Sequence, residues 1–175
     1  MSNFLHTVKP VIQTLKPYSL KSFDFDIKLN QNESPYDLPP EFKKEILEEF
    51  SRLPWNRYPS YTNHRLTEKL AAFLEVEPDR VLIGNGSNEL LQMLISLIVP
   101  ARSKILLVTP TFAIYQQLAR LAEAEISEIE FASDWSFPVE MIISYLKERP
   151  VNLCILCSPN SPTGVNLQQG DLMRI

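Results

Sequence analysis

The sequence predicts an α/β fold with a largely parallel sheet, on three observations. From residue 79 onward, short apolar runs of strand length alternate with amphipathic segments of helix length. The runs at 105–109 and 151–157 read as strands, the second strong and buried. The segments 84–89, 109–115 and 158–164 follow such runs and concentrate glycine, proline and small polar residues, at the strand ends where α/β sheets bind ligands.

Composition narrows the class. The chain has 175 residues, 45% hydrophobic, with a formal net charge of −4, which excludes global disorder. Its longest apolar stretch, 90–99, is too short for a membrane span and is interrupted by Gln92 and Ser96. No secretory signal pattern opens the chain, and no basic cluster offers a nucleic-acid surface. Two cysteines cannot build a disulfide framework, so a cytoplasmic protein is expected, without membrane or nucleic-acid partners. Proline is abundant (14) and glycine scarce (4) for an α/β domain.

In order along the chain, residues 1–35 lack a long periodic segment and are punctuated by Pro10, Pro17 and Pro35. Their apolar content points to an arm packed on another surface rather than a solvated tail. Pro39 and Pro40 open a helix whose Phe42, Ile46 and Phe50 share one face, ended by Leu53-Pro54. A second helix is expected over 63–74, with Leu66, Leu70, Phe73 and Leu74 inward. Beyond Pro78 the expected order is strand 81–83, helix 90–99, strand 105–109, helix 112–122, strand 126–131, helix 138–147 and strand 151–157. A last helix begins near Asp171 as N-cap. The expected organisation is an arm (1–35), a helical part (36–78) and an α/β part (79–175).

Of the strand-end segments, Gly84-Asn85-Gly86-Ser87-Asn88-Glu89 sets glycines and small polar groups at a helix N-terminus, suited to an anion or to a plain cap. Glu89 stands where a dinucleotide fingerprint needs its third glycine, and no Gly-Lys-Ser/Thr makes a Walker loop. Phe112 could stack on a planar ligand or simply pack. Ser158-Pro159-Asn160-Ser161-Pro162-Thr163-Gly164 is stiff and polar directly after an apolar strand. Cys154 and Cys157, three apart in a strand, point to opposite faces and read as core thiols rather than a redox or zinc pair. His6 and His64 are isolated, and Asp26, Glu33 and Asp37 read as solvated charges.

Taken together, these segments resemble the fold-type I, pyridoxal 5'-phosphate (PLP)-dependent aminotransferases, and within them the histidinol-phosphate aminotransferase family. Leu29-Asn30-Gln31-Asn32-Glu33 resembles that family's LNxNE, and Asn56-Arg57-Tyr58-Pro59 its NRYP. The 84–89 segment resembles GNGSDE, Pro110-Thr111-Phe112 resembles PTY or PTF, and 158–164 resembles SPNNPTG.

The resemblance implies a PLP-dependent transferase fold and a homodimer. It implies that Ser87 and Asn88 hold the cofactor phosphate, Phe112 stacks on its ring, and Tyr58 reaches the cofactor phosphate of the neighbouring subunit. Tyr18 and Asn32 would lie near a small phosphorylated amine substrate, and the 158–164 loop near the cofactor's phenolic oxygen. Ser161 stands where the family usually has an asparagine, so that contact would need a water or Asn160. The implied reaction exchanges histidinol phosphate and 2-oxoglutarate for imidazole acetol phosphate and glutamate. A threonine-phosphate decarboxylase and a residual phosphate-binding or dimerisation module are the alternatives. The family's cofactor-anchoring lysine, pyridine-pairing aspartate and substrate-anchoring arginine have no counterpart in this chain. With a final helix only one turn long, these residues are expected to be part of a longer enzyme and inactive alone.

Overall fold

The computed structural model describes residues 4–15, 26–58, 60 and 64–175. Tyr18 lies outside the described residues. The chain forms two compact units, one of residues 1–18 with 83–175 and the other of residues 19–82.

The first unit is α/β. A 3-10 turn, Phe4–Thr7, and helix α1, Pro10–Thr14, begin it. Lys9, just before α1, pairs with Glu123 at 2.9 Å, and α1 lies beside the helix that follows the first strand. The described start of the arm is therefore docked, although an exposed ion pair of this kind adds little energy.

In the second unit, helix α2 runs Pro40–Ser51 with proline in its first turn, where a missing N–H costs nothing. Helix α3 runs His64–Leu74, followed by a 3-10 turn, Pro78–Arg80. Both helices fall where periodicity places them, but their apolar faces are not covered as expected. No residue of α2 is buried, Phe42, Ile46 and Phe50 stay about half exposed, and Phe73 is 82% exposed. Only Ala71 of α3 is buried. Periodicity tells which side of a helix is apolar; covering it takes a second layer, which lies outside the helix's own sequence.

Back in the α/β unit, helix α4 spans Ser87–Ile98, then strand β1 Lys104–Thr109, helix α5 Ala113–Leu121, strand β2 Glu125–Glu130, helix α6 Val139–Glu148, strand β3 Leu153–Ile155 and the short helix α7 Gln169–Leu172. The strands form one sheet in the order β2-β1-β3, all parallel. Ile105 lies opposite Ile126 and Leu153, and Val108 opposite Ile129.

Alternation along β1 then builds two cores. Ile105 and Leu107 pack with Ile95 and Val99 of the α4 end and with Leu118 and Ala119 of α5. Leu106 and Val108 pack on the other face with Ile129, Phe137 and Ile142. Covering both faces explains why β1 reads as an uninterrupted apolar run. Each fully buried Leu or Ile contributes about 1.5–3 kcal/mol of transfer free energy. Among the described residues β2 is an edge strand, and its Glu125, Glu128 and Glu130 are exposed, charges that discourage edge-to-edge pairing.

Four local expectations change. Residues 81–83 form no strand and pair with none of the described strands, although Val81 is extended. β3 is three residues long, and helix α4 begins at Ser87 rather than near Leu90. Gln168, not Asp171, caps α7. No helix among the described residues is long and apolar enough to cross a membrane.

Candidate functional site

The α4 C-terminus leads directly to the start of β1, and α4 packs on the sheet. Its N-terminus therefore points toward the carboxyl ends of the strands, where the loops after β1 and β3 also emerge. The turn before it is tight. Gly86 N–H donates to the Gly84 carbonyl at 2.9 Å, and Asn85 N–H donates to the Glu89 carboxylate. A Cβ on Gly84 would sit 2.7 Å from Leu90 Cδ2 and 2.9 Å from Glu89 Oε2, so a side chain there would require those two side chains to shift. Gly86, the N-cap, has φ +81° and ψ 166°, a conformation essentially restricted to glycine.

No side chain caps α4. Its first N–H groups, which by helix geometry lack intrahelical acceptors, face outward with the positive end of the dipole. Ser87 and Asn88 are exposed in this first turn, and an added Cβ at Gly86 would meet nothing within 4 Å. A phosphate has both room and donors here, the Ser87 hydroxyl included.

The loops after β1 and β3 are joined by one buried side chain. Asn160 is 3% exposed. Its Nδ2 donates to the Pro110 carbonyl at 3.0 Å and to Thr163 Oγ1 at 2.8 Å. Its Oδ1 accepts from Thr111 Oγ1 at 2.9 Å. Its backbone closes the loop as well, with Asn160 N–H donating to the Val165 carbonyl at 2.8 Å and Gly164 N–H to the Asn160 carbonyl at 2.7 Å. The Leu167 N–H donates to Ser158 Oγ at 2.9 Å. Both amide protons of Asn160 are thus spent within the protein, and neither is left to replace a family asparagine toward a ligand. Ser161, next in sequence, is exposed. The peptide bonds before Pro110, Pro159 and Pro162 are cis.

Phe112, the α5 N-cap, is half-buried. Its ring meets Tyr115 edge-on, 5.7 Å between centroids. The Tyr115 hydroxyl donates to Cys157 Sγ at 3.4 Å. Burial first, then Cys157, pushes the Tyr115 hydroxyl up to about 12. Cys154 packs in the opposite core, and burial pushes its thiol up to about 11. Both thiols are free and half-buried, Cys154 within β3 and Cys157 two residues beyond its end.

Tyr58, 90% exposed, and Asn32, exposed, belong to the other unit. The described lysines of the α/β unit avoid the loop end of the sheet. Lys104 starts β1, Lys147 lies in the last turn of α6, and Lys9 pairs with Glu123 just before β2. No group of described side chains could hold a metal ion. A cavity of about 620 Å³ opens beside Thr109 and Thr111 toward β2, but Glu128 and Glu130 line it, which suits no phosphate. Sequence reasoning missed the Asn160 ties and the Tyr115–Cys157 contact; the only written hint was an asparagine set between two prolines.

The fold and this strand-end arrangement agree with the comparisons. The family model for aminotransferase class I and II matches residues 26–175, and the chain belongs to that family. It is 37% identical over 169 residues to a histidinol-phosphate aminotransferase of Chlorobaculum tepidum, covering 96% of this chain and 49% of that protein. With the enzyme of the same name from Chlorobium luteolum it shares 38% identity over 177 residues, covering 100% of this chain and 50% of that protein. The chain spans about half the length of the curated relatives it matches. Among solved structures, the histidinol-phosphate aminotransferase of Sinorhizobium meliloti in complex with PLP superposes with a TM-score of 0.81 at 20% identity, covering 94% of this chain and 46% of that one. The fold is that of the PLP-dependent aminotransferases.

Proposed function

We propose that the protein to which this chain belongs is a PLP-dependent aminotransferase acting on histidinol phosphate, with 2-oxoglutarate as amino acceptor and imidazole acetol phosphate and glutamate as products. The observation that carries the reading is the uncapped α4 N-terminus opening toward the loops that Asn160 ties together. Relatives of that name, 37–38% identical over nearly the whole chain, support the substrate. When bound, PLP supplies an electron sink for chemistry at the substrate α-carbon.

In this reading Ser87, Asn88 and the α4 N–H groups bind the cofactor phosphate, and Phe112 lies against its ring. Ser161 faces its phenolic oxygen, reaching it through a water because the side chain is short. Tyr58 serves the cofactor phosphate of a second copy in a homodimer, and Tyr18 and Asn32 line the substrate side. Residues 1–35 act as the arm, 36–78 belong to the small domain and 79–175 to the cofactor domain. A chain with only two cysteines suits a reducing, cytoplasmic setting.

Covalent capture of PLP needs an amine at the loop end of the sheet, and the described lysines of the α/β unit lie elsewhere. The 175 residues alone are therefore proposed to bind PLP without turnover, which is the phosphate-binding behaviour of the alternative module. The test supplies PLP, histidinol phosphate and 2-oxoglutarate to the chain alone and to the chain co-expressed with the C-terminal half of the Chlorobaculum tepidum enzyme. Glutamate should form only with the partner half. Glutamate from the chain alone contradicts the inactive part of the reading, and turnover of threonine phosphate in its place contradicts the substrate.

A further inference from the structure

We propose that Asn160 is a positioning residue that sets the spacing between Phe112 and Ser161 without touching the cofactor itself. The inference rests on the proposed function, which puts those two side chains on the cofactor.

Asn160 is the one buried polar side chain among the described residues. Its orientation follows from its partners: the Pro110 carbonyl can only accept, so the amide nitrogen must face it, and the amide oxygen is left for the Thr111 hydroxyl. These bonds bridge 49 and 50 residues of sequence, tying the loop after β1 to the loop after β3. Thr111 is bonded to Phe112, and Asn160 to Ser161, so each end of the tie lies one Cα step, about 3.8 Å, from a proposed cofactor contact.

Ser161 makes this spacing matter. A hydroxyl on a single carbon cannot swing to follow a displaced ligand as a longer amide can, so backbone placement has to do it. The tie is also costly to break, because removing the amide takes a partner from the Pro110 carbonyl and from the hydroxyls of half-buried Thr111 and Thr163.

The test measures PLP affinity by equilibrium dialysis for the chain, Asn160→Ala, Phe112→Ala and the double variant. Asn160→Ala should weaken PLP binding about tenfold when Phe112 is present and less than about twofold in the Phe112→Ala background, the signature of coupled residues. Asn160→Asp keeps the acceptor but puts a carboxylate oxygen against the Pro110 carbonyl, and should bind PLP no better than Asn160→Ala. Thr111→Val, which removes one hydroxyl and disturbs folding least, should weaken binding about two- to threefold.

Without ligand, hydrogen exchange in Asn160→Ala should speed up about tenfold at 111–113, 161 and 163–165 while amides 105–108 keep their protection. Equal losses in both Phe112 backgrounds, unchanged affinity in Asn160→Ala, or exchange that rises across β1 as well would overturn the proposal and leave Asn160 a core residue only. A chain that takes up no PLP at all defeats the proposed function, and the cofactor role of Asn160 falls with it.

Discussion

Gly86 shows how one residue prepares the α4 N-terminus. Its φ of +81° with ψ of 166° costs any other residue about 1–3 kcal/mol. Gly86→Ala should lower unfolding stability by that amount in urea titration although the added methyl meets no atom. The thiol of Cys154 tests burial at the same scale. Pushed from 9 to about 11, it should react with a thiol reagent at pH 8 about 100-fold more slowly in native Cys157→Ser than in the same variant unfolded. Equal rates would contradict its packing. The raised values also fix the sign of a pH effect. Cys154 and Tyr115 favour the fold fully below their ordinary values of 9 and 10, and that contribution is lost as pH rises toward about 11 and 12. Stability should fall between pH 9 and 12, and Tyr115→Phe should remove the part of the slope between 10 and 12.

Among the elements, β1 carries the fold. Leu106 is fully buried between β3 and α6, and Leu106→Ala should cost about 2–5 kcal/mol by denaturant unfolding, far more than a change at exposed Glu125. β1 was also the most legible element, because an apolar run flanked by helices has few alternatives. Residues 81–83 were just as apolar but have no described strand to pair with, and three residues are too few for periodicity to separate a strand from an extended linker. Asp171 resembled a cap by residue type, yet the helix starts two residues earlier, so the choice depended on backbone geometry that composition does not encode. The polar loop after β3 was legible as unusual. Its purpose was not, because the partners of Asn160 lie about 50 residues away in sequence.

For the whole molecule, family membership and a parallel sheet with ligand loops at one end were legible from five short motifs in order. The burial of each unit was not, since α2 and α3 carry apolar faces that their own sequence cannot cover. In the proposed function, the α4 N-terminus and the Phe112 loop bind PLP through its phosphate and ring. The direct measurement is equilibrium dialysis of PLP against the chain, with inorganic phosphate as competitor and Ser87→Ala and Phe112→Ala for comparison. Binding should saturate, be displaced by phosphate and weaken about tenfold or more with each substitution. Binding that does not saturate, or that both substitutions leave unchanged, would contradict it.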